Sequence, residues 1–156
     1  MQPSALLIHN LQEVRRRSIR VWEGIPSDRL HWRPDPGAMT CLEMVRHVLE
    51  GEWLYMQMLR RGGSLDSDAS PFNPRAYTDV AAELALARPY RQELLDLVGS
   101  CTAEDLETRK VDRADKGYVR TFGDFILRMA YHESVHLGQL LGYLRSMDVP
   151  RPNVWD

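Results

Sequence analysis

Four long segments of the chain carry apolar residues at steps of three and four, and this pattern constrains the fold more than any other feature. In the first segment, from about Ser4 to Glu23, the recurring residues are Leu7, Leu11, Val14, Ser18, Val21 and Trp22. Such spacing places side chains on one face of an α-helix. The other segments run from about Thr40 to Arg61, from Asp79 to about Val98 and from Thr121 to about Met147. With no convincing strand pattern, the sequence predicts an all-α four-helix bundle without a sheet.

Capping pairs and helix breakers mark the ends of these segments. Thr40 and Glu43 have the spacing of an N-terminal capping box, in which two side chains satisfy free backbone amides. Pro89 lies inside the third segment, where proline removes one backbone hydrogen bond, so a kink or a break is expected. The connection from Gly99 to Tyr118 is predicted to be irregular, apart from one turn at 103–106.

Composition excludes several classes of protein. The 156 residues suit one domain, taken as 1–156, and their 44% hydrophobic and 27% charged content is that of a globular chain. The 20 basic and 22 acidic residues leave a net charge of -2, which argues against a nucleic-acid partner. No apolar run approaches the roughly 20 residues that span a membrane. Two cysteines exclude a disulfide scaffold, and a cytoplasmic location without a secretory signal is expected.

Arginine is concentrated in the first helical segment, at Arg15, Arg16, Arg17 and Arg20. Consecutive residues point in different directions on a helix, so the four side chains do not form one patch. The pattern favours a solvated helix face, with contact to an anion or a nucleic acid as the alternative.

The strongest chemical signal is the string His132-Glu133-Ser134-Val135-His136 in the fourth segment. Histidines four residues apart share a helix face and can bind one metal ion. They also fall on the apolar stripe, which comprises Phe125, Met129, His132, His136, Leu140 and Tyr143. Two histidines that face a core need partners for their ring nitrogens, and a metal ion would supply one to each.

A metal site needs a further ligand, which must come from upstream. A zinc protease is disfavoured because the residues after His136 include no Glu or His to complete such a site. The upstream candidates are His9, His31 and His47. His47 is favoured because it is in helical register with Gly51, which would leave room one turn later for a metal ion or a substrate.

These motifs resemble the DinB-like superfamily, a group that includes bacterial thiol-dependent transferases and mycothiol-dependent isomerases. The matching segments are Leu30 to Pro34, Thr40 to His47, His132 to Gln139 and Pro152 to Asp156. The resemblance spans essentially the whole chain and implies a four-helix bundle of the up-down-down-up type with long connections. It also implies a homodimer and one divalent metal ion on His47, His132 and His136, with zinc as the first choice and nickel or iron as alternatives.

An open three-histidine site indicates a catalytic centre, because a structural zinc site is normally closed by four protein ligands. The resemblance favours the transfer of a metal-activated low-molecular-weight thiol to a small electrophile. A metal-dependent hydrolase and a non-catalytic, damage- or stress-responsive metal-binding protein are the alternatives. Glu133 is a candidate base or partner of a ligand histidine, and a solvated position is equally expected for it. Gln139 and Tyr143 are candidate polar groups of the pocket, with packing and surface roles equally expected.

Overall fold

The computed structural model of the chain describes residues 2–67 and 69–156. Its helices are α1 (Pro3–Glu23), α2 (Cys41–Arg61), α3 (Val80–Ser100), α4 (Ala103–Thr108) and α5 (Phe122–Ser146). Short 3-10 turns occupy Ser27–Arg29 and Ala114–Lys116. The predicted bundle of four long helices is confirmed, with α1, α2, α3 and α5 as its members. In the described residues, no helix is long and apolar enough to cross a membrane.

The prediction that the chain contains no sheet is wrong. Strands β1 (Lys110–Arg113) and β2 (Tyr118–Thr121) form an antiparallel hairpin within the connection that was expected to be irregular. Gly117 closes its turn in the left-handed conformation, at φ 83°. Each strand has four residues, which is too short for an alternating apolar pattern to be visible in the sequence.

The middle pair of long helices, α2 and α3, is parallel. Arg46 bonds Glu83 near the start of both helices, and Arg60 bonds Glu93 further along both. Parallel neighbours cannot be joined by a tight turn, so residues 62–79 form a long connection. This pair is the down-down part of the predicted up-down-down-up order.

Capping holds the helix starts where the sequence predicted them. The Thr40 hydroxyl accepts a hydrogen bond from the Glu43 amide at 3.2 Å, and the Glu43 carboxylate accepts one from the Thr40 amide at 2.7 Å. The expected break at Pro89 is absent, because α3 is continuous through it. Pro89 is exposed, as is Ala85 one turn earlier, so water can satisfy the carbonyl that loses its partner.

A layer of four charged side chains, one from each long helix, separates two apolar clusters of the core. Arg15 donates to both carboxylate oxygens of Glu133, at 2.8 and 2.9 Å, and to Glu52 at 3.1 Å. Arg91 donates to the same oxygen of Glu52 and to the Leu11 carbonyl at 2.7 Å. Burial alone would raise the pKa of Glu133, but Arg15 holds it below its usual value. We call Arg15, Glu52, Arg91 and Glu133 the charged layer; it ties the four helices together with no net charge.

Candidate metal centre

Three histidines from two helices converge at the α2–α5 contact. His47 Nε2 lies 3.1 Å from His132 Nε2, and a ring nitrogen of each of His47, His132 and His136 lies within 4.8 Å of the others. His47 is exposed, and the two histidines of α5 are half-buried. The prediction that the pair on α5 faces the bundle core is therefore only partly right, since both rings lie half-buried at the edge of the core. We call this solvent-accessible edge of the α2–α5 contact, which carries the three histidines, the groove.

Antiparallel packing of α2 and α5 produces this convergence. Tyr55 packs edge-on against Phe125 near the start of α5, whereas His47 packs against His136 about three turns later. Gly51 lies between them, and a side-chain carbon there would be 3.1 Å from Cε1 of His132. The glycine therefore makes room for a histidine ring, which refines the prediction that it leaves space for a metal ion or a substrate.

The protonation state of the cluster suits a cation. Burial, and then the charge of His136, lowers the pKa of His47. Burial, followed by the charges of His136, His47 and Arg128, lowers the pKa of His132 to about 4. His136 Nδ1 lies 2.7 Å from the Gln139 side-chain oxygen, so Nδ1 donates and Nε2 keeps its lone pair free. The lowered pKa values keep the imidazoles of His47 and His132 neutral at pH 7, ready to accept a metal ion.

The other predicted residues lie in different surroundings. His9 lines a separate pocket between α1, α4 and α5, and His31 is exposed on the loop before α2; neither belongs to the cluster. Glu133 is buried in the charged layer, where both of its carboxylate oxygens bond Arg15. The alternative of a solvated helix position for Glu133 is therefore excluded. The Tyr143 hydroxyl donates to the Met39 carbonyl at 3.2 Å, which fixes part of the pocket wall beside His47.

The donor set fits a divalent transition metal. Zinc binds histidine nitrogen at about 2.0–2.1 Å, which places two nitrogens on one ion roughly 3.3 Å apart. The 3.1 Å between His47 Nε2 and His132 Nε2 is close to this value, and a ring nitrogen of each of the three histidines lies within 4.8 Å of the others. Three imidazoles suit zinc, nickel, copper and iron alike, so the residues do not select one metal.

A pocket of about 400 Å³ adjoins the cluster on the His47 side. Its wall includes the loop that carries Arg33, together with Glu43, Glu50 and Tyr77. Glu50 accepts a hydrogen bond from Ser70, and its negative charge partly offsets the lowered pKa of His47. The pocket is polar and open, so a small molecule could reach the histidines from solvent.

Together, the fold and the site define a class of protein: a helical bundle that carries three histidines on one open groove. The family model of the DinB superfamily matches residues 10–140, and the chain belongs to that superfamily. The chain is similar to YjoA of Bacillus subtilis, at 27% identity over 126 residues that cover 80% of this chain and 78% of YjoA.

Solved structures agree with this assignment. The crystal structure of the DinB-like protein YjoA from Bacillus subtilis matches with a TM-score of 0.71 and 25% identity, covering 96% of each chain. A DinB-like protein from Bacillus cereus also matches with a TM-score of 0.71, at 17% identity, over 94% of this chain and 95% of the other. The second likeness concerns the fold alone.

Proposed function

We propose that this protein is a metal-dependent enzyme that transfers a low-molecular-weight thiol to a small electrophile. The observation that carries the proposal is the group of three imidazoles on an open groove, with ring nitrogens within 4.8 Å of one another. His47, His132 and His136 would hold one divalent ion, with zinc as the first choice. When bound, the ion would lower the pKa of a thiol so that it is ionised near neutral pH. Membership of the DinB superfamily supports the thiol route over the alternatives.

The residues of the chain have distinct roles in this proposal. Gln139 orients His136 through the 2.7 Å hydrogen bond, and Gly51 lets the ring of His132 approach α2. Glu133 has a structural role, because its carboxylate faces Arg15 and not the groove. The transfer forms a carbon–sulfur bond, the leaving group departs with its electron pair, and the thiol proton passes to solvent.

Turnover of a reactive electrophile tests this proposal. Conjugation should require both the metal and the thiol, and chelation should abolish it. Turnover with metal but without thiol would favour a hydrolase. No turnover in fully metal-loaded protein would favour a non-catalytic metal-binding protein, including the damage- or stress-responsive role.

Metal content in five single variants tests the ligand set. Replacing His47, His132 or His136 by Ala should remove most of the bound metal, because two imidazoles hold a divalent ion poorly. His9→Ala and His31→Ala are the matched controls, since both positions lie outside the cluster, and they should keep a full equivalent. A full equivalent in His47→Ala, with loss in either control, would assign the third ligand elsewhere.

We also propose that the protein acts as a homodimer, with no nucleic-acid or membrane partner. An exposed apolar row on α5 comprises Leu127, Tyr131 and Val135, at 51%, 71% and 41% exposure. Such a row, with an aromatic centre, is self-complementary about a two-fold axis. Sedimentation at micromolar concentration should show twice the 18.0 kDa chain mass, and Tyr131→Glu should give a monomer. A wild-type monomer would contradict this part.

A further inference from the structure

Arg128 lies on α5 one turn before His132 and has no ion pair. Across residues 2–67 and 69–156, no hydrogen bond to a protein group is formed by its guanidinium, and its Nε is buried without a partner. Other half-buried or buried arginines of the described chain, such as Arg15, Arg91 and Arg113, have hydrogen-bond partners. A buried donor without a partner is costly, so its position requires a physical reason.

The immediate contact of Arg128 is the ring of Tyr118 on β2, at 5.3 Å from the guanidinium carbon. Arg113 and Arg120 approach the same ring, at 5.5 and 5.3 Å. We call Arg113, Arg120 and Arg128 around Tyr118 the arginine cluster. It lies where the hairpin packs against the first part of α5.

The charges of the arginine cluster are only partly balanced. Arg120 pairs with Asp124 at 2.6 Å. Arg113 bonds two neutral groups, the Tyr118 hydroxyl at 2.8 Å and the Ser64 hydroxyl at 3.2 Å. Ser64 in turn donates to Asp115 at 2.5 Å, which brings a second carboxylate near Arg113. The positive charge of Arg128 remains without a counterion, which suits a ligand with a single negative charge.

The arginine cluster is linked to two of the three histidines through helix α5, which carries Arg128, His132 and His136. Residues 128, 132 and 136 share one face of α5, and four residues advance a helix by about 6 Å. Tyr55 of α2 contacts this part of α5, with its ring 5.7 Å from that of His132. A small molecule whose reactive end lies at the histidines could therefore place a second group several ångströms away, at Arg128.

We propose that Arg128 binds a carboxylate of the small molecule that reacts at the three histidines, and so determines specificity. A guanidinium binds a carboxylate through charge-assisted hydrogen bonds with fixed geometry, and Tyr118 holds it by stacking. This inference rests on the proposed function for the identity of the reacting ligand, but the carboxylate subsite itself can be measured without any reaction.

The first experiment is independent of turnover. Propionate is titrated into metal-free protein while the Arg128 Nε–Hε signal is followed by NMR, with neutral propionamide as the control ligand. We expect a saturable shift with propionate and none with propionamide. Arg145→Gln is the matched variant, since it removes an exposed arginine from the same helix, and it should leave the shift unchanged. Absence of a propionate-specific shift at Arg128 would overturn the proposal.

The second experiment tests whether the carboxylate that Arg128 binds belongs to the thiol or to the electrophile. Metal-loaded protein is titrated with 3-mercaptopropionate and with 3-mercaptopropan-1-ol, which differ in the carboxylate. We expect the acid to bind about tenfold more tightly, as one charge-assisted hydrogen bond allows. Arg128→Gln should abolish this preference without weakening the neutral thiol, whereas equal loss of both thiols would assign Arg128 a merely structural role and overturn the proposal.

Two further outcomes separate this inference from the proposed function. If neither thiol binds, the thiol route fails, and the propionate shift alone decides whether the subsite exists. If the two thiols bind equally, iodoacetate and iodoacetamide are compared as electrophiles; a preference for iodoacetate that Arg128→Gln removes assigns the carboxylate to the electrophile. Absence of preference in both pairs overturns the proposal.

Discussion

His132 and Glu133 are neighbours in the sequence but lie in opposite environments. His132 faces an open groove, where it meets two other histidines, whereas Glu133 is 4% exposed and bonded to Arg15. The same contrast occurs on α2, where Gly51 contacts the ring of His132 and Glu52 joins the charged layer. Consecutive residues differ by about 100° around a helix, so each helix supplies both regions.

The two regions differ in whether their polar side chains find partners within the protein. In the charged layer, the two arginines and two glutamates neutralise one another within the protein. In the groove, the imidazoles leave ring nitrogens free for a ligand. A closed layer that fixes the helices can therefore support an open site one residue away. If so, substitutions in the charged layer should affect stability, and substitutions in the groove should affect metal binding.

The largest expected effect is on stability and comes from the closed region. Glu133→Ala leaves Arg15 buried with only part of its counter-charge, and we expect a loss of about 3–5 kcal/mol in the free energy of unfolding. Urea unfolding of metal-free protein measures it. His132→Ala, the neighbouring control, should cost less than about 1 kcal/mol while it removes the metal.

A double variant sharpens the same test. Replacing both partners, Arg15→Met with Glu133→Leu, removes the buried pair as a unit and should recover most of the lost stability. A Glu133→Ala protein as stable as wild type would show that the charged layer does not hold the helices, and the division between the two regions would fail.

The next effect belongs to the open region and concerns affinity. Gln139→Ala removes the acceptor for His136 Nδ1, and loss of such an orienting partner typically costs 10–100-fold in metal affinity. Gln139→Glu retains an acceptor and should bind metal nearly as well as wild type. Gln92→Ala removes an exposed glutamine whose amide bonds Asp96 on α3, and it should have no effect on a competitive metal titration. If Gln139→Ala binds metal as tightly as wild type, Gln139 does not orient His136.

The two regions should also differ in their response to pH. The pKa of His132 is lowered to about 4 in the folded protein, against about 6.5 for an unperturbed histidine. The unfolded chain therefore binds more protons between these values, so stability is full above about pH 6.5 and falls as the pH drops toward 4. After allowance for solvent screening, we expect a loss of about 1–2 kcal/mol in metal-free protein.

Urea unfolding at pH 7 and pH 5 measures this loss, and His132→Gln should reduce it. The charged layer should contribute little over the same range, because Arg15 holds the pKa of Glu133 below its ordinary value. A stability that is unchanged between pH 7 and pH 5 would contradict the buried, neutral state of His132.

The sequence predicted the open region better than the closed one. Helical spacing located His132 and His136, and the register of His47 with Gly51 indicated the third member of the cluster. Those inferences depend on local geometry, which a sequence displays. Arg128 and Tyr55 were not singled out, because their importance comes from contacts with a hairpin and a second helix that have no local signature.

The charged layer was missed for a related reason. Arg15 stands in a run of arginines that was predicted to be solvated, and Glu133 stands inside the histidine motif. A signal was nevertheless present: Arg15, Glu52, Arg91 and Glu133 each lie in register with buried residues of their own helix, and their signs alternate. Only the assembled bundle shows that four such positions are at one level, where mutual pairing makes their burial possible.

The smallest expected change tests how closely the open region is fitted to its helices. Gly51→Ala adds one carbon at 3.1 Å from Cε1 of His132, so the ring must move by a few tenths of an ångström. Alanine is favoured over glycine within a helix by about 1 kcal/mol, so the metal-free protein should lose no stability and could gain up to that amount. Metal affinity should fall, because the displaced ring moves its Nε2 away from the position that it shares with His47. Gly138→Ala is the matched control, since a carbon there meets no described atom within 4 Å; it should gain similar stability and keep its affinity. If both variants bind metal as wild type does, the close approach of α2 to His132 is not what shapes the site.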